Sequence, residues 1–359
     1  GTMLGNALFL LSIGFGVSKL LFGGKGNDAA APSKRKKVAG TEVSTDECVP
    51  PPLQSGDTVA IIAPAGPVEK GILEKGVGIL RRWGLNPVVI SQVFDNSSEA
   101  GYDSDYLAGG DGTRLAAIVD VFADPTYKAV ICARGGYGTT RLLPMLTWNM
   151  ITTGDLLKKR FYGFSDITAL HALFNARGVV TFHAPMPATE LFCRATPESV
   201  DSFKAALFGN IAELPLLQGQ ELQRGLCVGR VKGPIVGGNL AVLTSLCGTE
   251  YQPNFEGCIL VLEEVGEAPY KVDRMVNQLV QATGGKLFDQ IGALVLGSFG
   301  GAIKSWVAVE NFWLQRVGVP AHVPVLAGVP LGHVADGLTV PLGANGVVDL
   351  DAGTLGVDF

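Results

Sequence analysis

The chain has 359 residues, 47% of them hydrophobic and 17% charged, which is apolar material enough for about two α/β domains with sizeable cores. Its 28 basic and 33 acidic side chains leave a net charge of −5, so there is no basic footprint for a nucleic-acid partner. Six cysteines, Cys48, Cys132, Cys193, Cys227, Cys247 and Cys258, lack paired spacing, which excludes a disulfide framework and a Cys-x-x-Cys metal site and points to a reducing compartment.

Residues 4–22 form an apolar run approaching the roughly 20 residues that span a bilayer, with Lys19 near one end placed to snorkel. A hydrophobic, membrane-spanning helix is expected there. A linker-like stretch follows at 23–37, and residues 1–40 carry about +5 by count against about −10 for the remainder. Basic residues beside a span favour the side of synthesis. The expected location is therefore a membrane anchor with the folded part on the cytoplasmic side, or the stromal side in a plastid. A cleaved or disordered leader is the alternative, which leaves a cytoplasmic protein. Residues 1–55 are assigned to this appendage.

Short buried-strand patterns at 58–63, 87–90, 129–133 and 161–164 alternate with helical patterns at 72–83, 114–122 and 166–176. This βαβ alternation predicts a parallel sheet covered by helices on both faces, an N-terminal α/β domain over 56–188. The third strand runs into Arg134-Gly135-Gly136-Tyr137-Gly138. Glycines there let backbone N–H groups approach a ligand and point at a developing negative charge, as half of an oxyanion hole; an isolated Gly-Gly-x-Gly is otherwise a plain tight turn.

The fourth strand ends at Ser165, where a helix pattern begins at once. A strand-to-helix turn holds a hydroxyl clear of the backbone and near N–H donors, as a nucleophile requires. Gly163 precedes the serine by two, but no glycine follows in the place a nucleophile elbow has one, and a helix N-cap is the competing reading. Four histidines are candidates for its base. His171 lies within the following helix and points away, His183 ends the next apolar strand, and His322 precedes a buried-strand pattern. His333 stands in a glycine-flanked loop between apolar runs, the setting in which scaffolds present catalytic side chains, and is favoured.

Between 189 and 230 the pattern weakens into Pro-rich and polar segments, read as an interdomain link. Strands at 259–262, 293–297 and 348–350 with a helix at 268–282 predict a mixed α/β C-terminal domain over 231–359. The strand at 259–262 ends in Glu263-Glu264, and alternation sends these two acids to opposite faces. One of them is positioned to orient a histidine in an interdomain cleft; solvated strand-end charges are the alternative.

Gly56-Asp57-Thr58-Val59-Ala60-Ile61-Ile62-Ala63-Pro64, Tyr106-Leu107-Ala108-Gly109, Arg134-Gly135-Gly136-Tyr137-Gly138, Gly163-Phe164-Ser165-Asp166, Gly237-Gly238-Asn239, Leu262-Glu263-Glu264 and Gly332-His333 follow one another in order. In this series the chain resembles the LD-carboxypeptidase family of serine peptidases, which also contains the microcin C self-immunity peptidases. The resemblance implies Ser165 as nucleophile, His333 as base and then acid, and Glu263, the first acid of its pair, as the orienting carboxylate. It also implies an oxyanion hole from the N–H groups of Gly136 and Asp166, no metal, no organic cofactor, and a homodimer. Family members cut between an L-configured centre and a terminal D-amino acid, typically releasing D-alanine from the peptidoglycan tetrapeptide. Such an exopeptidase must hold a free carboxylate, for which Arg134 is a candidate against a plain structural arginine; Gly238 and Asn239 are expected to line the site. Two other readings are a microcin-immunity-like amidase and a subunit of a larger membrane complex that uses the peptidase fold as a scaffold.

Overall fold

The computed structural model describes residues 49–95, 106–147, 149–222, 229–300 and 306–358, all within one compact unit spanning 43–359. The expected hydrophobic helix at 4–22 and the basic linker lie outside the described residues. Among the described residues no helix is long and apolar enough to cross a membrane.

Five parallel strands build the first sheet: β1 (Thr58–Ile62), β2 (Asn86–Val89), β3 (Ala129–Cys132), β4 (Arg160–Gly163) and β5 (Thr181–His183). The first four lie within a residue of where the apolar runs place them. These strands are apolar at consecutive positions because helices cover both faces. In β1, Val59 and Ile61 share a core with Leu73, Val77 and Leu80 of helix Lys70–Arg82. Ala60 and Ile62 face the other way, into a core with Ile118 and Phe122 of helix Asp111–Ala123 and Phe174 of helix Thr168–Asn175.

The remaining strands are β6 (Leu217–Gln218), β7 (Gln220–Glu221), β8 (Arg230–Asn239), β9 (Ile259–Glu263), β10 (Ala293–Leu296), β11 (Val325–Ala327), β12 (Val340–Leu342), β13 (Asn345–Asp349) and β14 (Thr354–Val357). All but β12 form a second, mixed sheet in the order β6-β14-β13-β8-β9-β10-β11-β7, with β8 to β11 parallel. The fold is thus α/β with two sheets, as expected. Its longest strand, β8, carries no apolar pattern because it holds Pro234 and glycines at 233, 237 and 238. Those glycines let backbones meet: a Cβ on Gly237 would lie 1.9 Å from Val261 O.

Two features join the halves. The segment 189–230 contains helix Pro197–Phe208, started by the Thr196 cap and Pro197, and its Phe203 packs edge-on to Trp83 and Tyr162 in the core of the first sheet. Strand β12 pairs antiparallel with β5, placing Val340 opposite His183 at the edge of the first sheet. Yet Val340 and Leu342 belong to a core with Val261, Val295 and Leu331 of the second.

Candidate active site

The β4-to-helix turn forms around one unusual residue. Ser165 has φ of +64°, the only non-glycine with positive φ among the described residues. Such a conformation costs about 1–2 kcal/mol and persists only where the surroundings impose it. Gly135 leaves room for it: a Cβ on Gly135 would lie 2.8 Å from Ser165 Cβ and 2.9 Å from Oγ, so the hydroxyl rests directly on the glycine turn after β3. Gly163 makes room from below, since a Cβ there would meet Ile167 at 2.9 Å. Strand, strained serine and helix follow one another as in a nucleophile elbow, although the glycine expected after the serine is absent.

The next residue anchors the turn. The carboxylate of buried Asp166 accepts from Thr139 N and from Thr139 Oγ1, each at 2.8 Å, fastening the Ser165 turn to the end of the glycine loop. Burial raises the Asp166 pKa, and the Thr139 bonds oppose that rise. Among the described residues, neither the Asp166 N–H nor the Gly136 N–H donates to a protein acceptor. Asp166 follows Ser165 directly, and Gly136 follows the glycine that Ser165 touches.

The cores that meet the two faces of β9 separate the acid pair. Glu263 continues the β9 face that carries Val261 and turns toward Leu331 and His333, where its Oε2 lies 2.7 Å from His333 Nδ1. The carboxylate is fully buried, and its Oε1 has no hydrogen-bond partner among the described residues. Glu264 faces the other core and serves the fold: Oε2 accepts from Ala241 N at 3.0 Å, and Oε1 accepts from Val265 N at 2.9 Å and Asn239 Nδ2 at 3.3 Å.

His333 stands 18% exposed at its side chain, with the Phe164 ring 4.6 Å from its own. The Nδ1 bond to a carboxylate leaves Nε2 as the ring nitrogen free to take a proton. Among the described residues Ser165 Oγ and His333 form no hydrogen bond; Phe164, the residue before the serine, carries the contact between the two loops. The other histidines are structural or exposed. His171 bonds Gly163 O and Thr181 Oγ1, both at 2.8 Å, and burial pushes its pKa down to about 4. Burial likewise takes buried His183 to about 3. His322 pairs on the surface with Asp289 at 3.5 Å.

The remaining candidates have defined partners. Asn239 uses both ends of its amide within the fold, Oδ1 accepting from Val242 N at 3.2 Å to start helix Leu240–Ser245 and Nδ2 donating to Glu264. Gly238, at φ +126°, lets β8 approach the serine helix, where Asn239 N donates to Thr168 Oγ1 at 3.0 Å. Half-buried Arg134 donates to Pro67 O at 3.0 Å and has no acidic partner among the described residues.

Two family models divide the chain: the LD-carboxypeptidase N-terminal domain matches residues 59–184 and the LD-carboxypeptidase C-terminal domain matches 232–348. The chain belongs to the LD-carboxypeptidase family. It is accordingly a hydrolase of the serine-peptidase type. It is similar to the murein tetrapeptide carboxypeptidase of Pseudomonas aeruginosa, with 34% identity over 81% of this chain and 92% of that protein. The muramoyltetrapeptide carboxypeptidase of Oxalobacter formigenes superposes with a TM-score of 0.67 at 28% identity, covering 83% of this chain and 97% of that one. The microcin C7 self-immunity protein of Escherichia coli is 26% identical over 84% of this chain and 92% of its own length.

Several residues that shape the site are silent in the sequence. Arg114, fully buried, donates to Pro64 O at 2.7 Å, Gly138 O at 2.9 Å and Gly109 O at 3.2 Å, tying three loops around the glycine turn. It pairs with Asp111, which Arg141 grips in turn at 2.6 Å. A buried guanidinium needs this many acceptors. Its only trace in the sequence is an arginine on the apolar side of a helix pattern. Thr139 and Thr168 give no trace, since a threonine that ties two loops reads like any other.

Proposed function

We propose that this chain is a serine LD-carboxypeptidase that releases a terminal D-amino acid, D-alanine, from the peptidoglycan tetrapeptide. Ser165 attacks the scissile carbonyl, and His333 Nε2 takes the hydroxyl proton and then delivers it to the leaving amine. Glu263 holds the imidazole through Nδ1 and stabilises its charged form. The N–H groups of Gly136 and Asp166 receive the oxyanion, and water then resolves the acyl-enzyme.

The observation that carries this reading is the 2.7 Å bond between the fully buried Glu263 carboxylate and His333, in the loop that packs on Phe164. A buried carboxylate with one oxygen on an imidazole and the other without a partner is costly as architecture and useful as catalytic support. Proton transfer requires the serine and the imidazole to come within hydrogen-bond reach, a contact that commonly tightens only when substrate is bound. Arg134, beside the turn and without an acidic partner among the described residues, is proposed to receive the substrate's terminal carboxylate.

The experiment is incubation of the chain with murein tetrapeptide and detection of free D-alanine, with Ser165→Ala as control. Release by the parent and none by the variant is expected; equal release from both refutes the assignment. The similarity to the microcin C7 self-immunity protein supports a second reading, an amidase acting on a peptidyl nucleotide. Cleavage of such a substrate without D-alanine release would favour it.

A further inference from the structure

A pair of tyrosines at the glycine turn has no part in the steps above. Tyr137 follows Gly136 and is 47% exposed; its ring centroid lies 5.8 Å from that of Tyr106, which is 51% exposed. The backbone fixes both to the oxyanion turn. Gly66 N–H donates to Gly135 O at 3.1 Å, Ala108 N–H donates to Ala65 O at 2.9 Å, and a Cβ on Gly66 would stand 3.5 Å from Tyr106 O. Two large rings held half in water beside a nucleophile invite a ligand to cover them.

We infer that Tyr106 and Tyr137 form a notch for the acyl part of the substrate, the residues that stay on Ser165 once the terminal amino acid leaves, and that this part lies along the rings as an extended peptide. The inference rests on the function proposed above and deepens it. A leaving D-alanine carries one methyl group and is too small to cover two tyrosine rings, so the acyl side must. The rings meet at 57°, in contact with each other. A slot that sandwiches a planar base between the two rings would need them parallel and about 7 Å apart, twice the carbon contact distance. A tilted pair is a V-shaped edge suited to a chain. Tyrosine adds contact area at small rotamer cost.

The test uses the full chain carrying Ser165→Ala, and measures equilibrium binding of murein tetrapeptide with and without Tyr106→Ala, Tyr137→Ala and both. Each substitution is expected to weaken binding, the double change by about tenfold or more. In the Ser165 protein the same changes should raise KM in proportion and leave kcat within about twofold. An N-acetylated dipeptide that contains only the scissile bond should be handled equally by all. Tetrapeptide binding that ignores both tyrosines, in a protein that still turns the tetrapeptide over, overturns the notch alone. Equal losses on the dipeptide overturn it too, assigning the rings to the shape of the oxyanion turn. Tyrosine-dependent binding of an adenosine-bearing peptide, without such dependence for the tetrapeptide, overturns the peptide class. No tetrapeptide binding and no turnover removes the proposed function, and the notch with it.

Discussion

Gly332 lies against Glu263 so closely that residue 332 has no room for a side chain: a Cβ there would stand 2.5 Å from Oε2, the oxygen that holds His333. Its φ of +100° is also one that L side chains avoid. Gly332→Ala is therefore expected to push the carboxylate off the imidazole. Turnover of the tetrapeptide should fall by about a hundredfold or more, since a misplaced catalytic group of that size is felt in kcat. A variant that keeps full kcat would mean that the Glu263–His333 bond is not needed.

Glu263 and Glu264 should separate cleanly under the same substitution. Glu263→Gln keeps the shape but removes the charge that supports an imidazolium, so kcat is expected to drop roughly a thousandfold or more with an unchanged fold. Glu264→Gln disturbs the bonds from Ala241 N and Val265 N and is expected to cost about 1–3 kcal/mol of stability, with kcat of the folded fraction largely kept. Chemical denaturation alongside turnover distinguishes the two, and the reverse pattern would exchange their roles.

The backbone of Ser165 predicts an unusual ordering of inactive variants. Glycine tolerates φ of +64° and alanine does not, so Ser165→Gly should be more stable than Ser165→Ala by about 1 kcal/mol, against the general trend for glycine. Urea midpoints of the two proteins check this. Equal midpoints would mean that the turn relaxes once the hydroxyl is gone.

Arg114→Met removes a guanidinium that three loop carbonyls share, and leaves Asp111 to Arg141 alone. A loss of about 3 kcal/mol or more is expected, together with a lower kcat in what remains folded, because Gly138 lies at the end of the turn that offers the Gly136 N–H. Arg114→Lys, which can reach some of those carbonyls, should recover part of both. Full activity in Arg114→Met would separate the strut from the chemistry.

The buried histidines set an acid limit on the fold. His171 is held to about 4 and His183 to about 3 by burial, both below the ordinary 6.5. As pH falls through 6.5 the unfolded chain takes up protons that the native chain refuses, so the two residues cost no stability above that pH and an increasing amount as pH drops toward 4. Urea unfolding followed from pH 7 to pH 4 should show this decline, and His171→Gln should partly flatten it while lowering stability at pH 7, where only its hydrogen bonds are lost. A flat profile in the parent protein would contradict the burial of both rings.

Much of this was legible in the chain because parallel strands covered on both faces are written as unbroken apolar runs. β1, β3, β4, β9 and β10 were readable for that reason. The serine turn, the acid pair and the His333 loop followed from where those runs stop. β8 was not readable, since close backbone approach to β9 demands glycines that erase a strand pattern. Nor could alternation alone choose between Glu263 and Glu264. That choice depends on which core each face meets, and residues far along the chain, Leu331 on one side and Leu240 on the other, decide it. The predicted link at 189–230 looked weak because Ser199, Asp201, Ser202 and Lys204 interrupt the apolar residues of a helix whose Phe203, Ala206 and Leu207 nonetheless join the core of the first sheet.

Because β12 completes the edge of the first sheet at Val340–Leu342, the half that carries Ser165 cannot close its own sheet when it leaves the ribosome. Until more than 150 further residues have been made, the outer side of β5 offers unpaired amide and carbonyl groups to any neighbour. The half that carries Ser165 is therefore translated first and completed late, and no truncated product that ends before Val340 has the full first sheet.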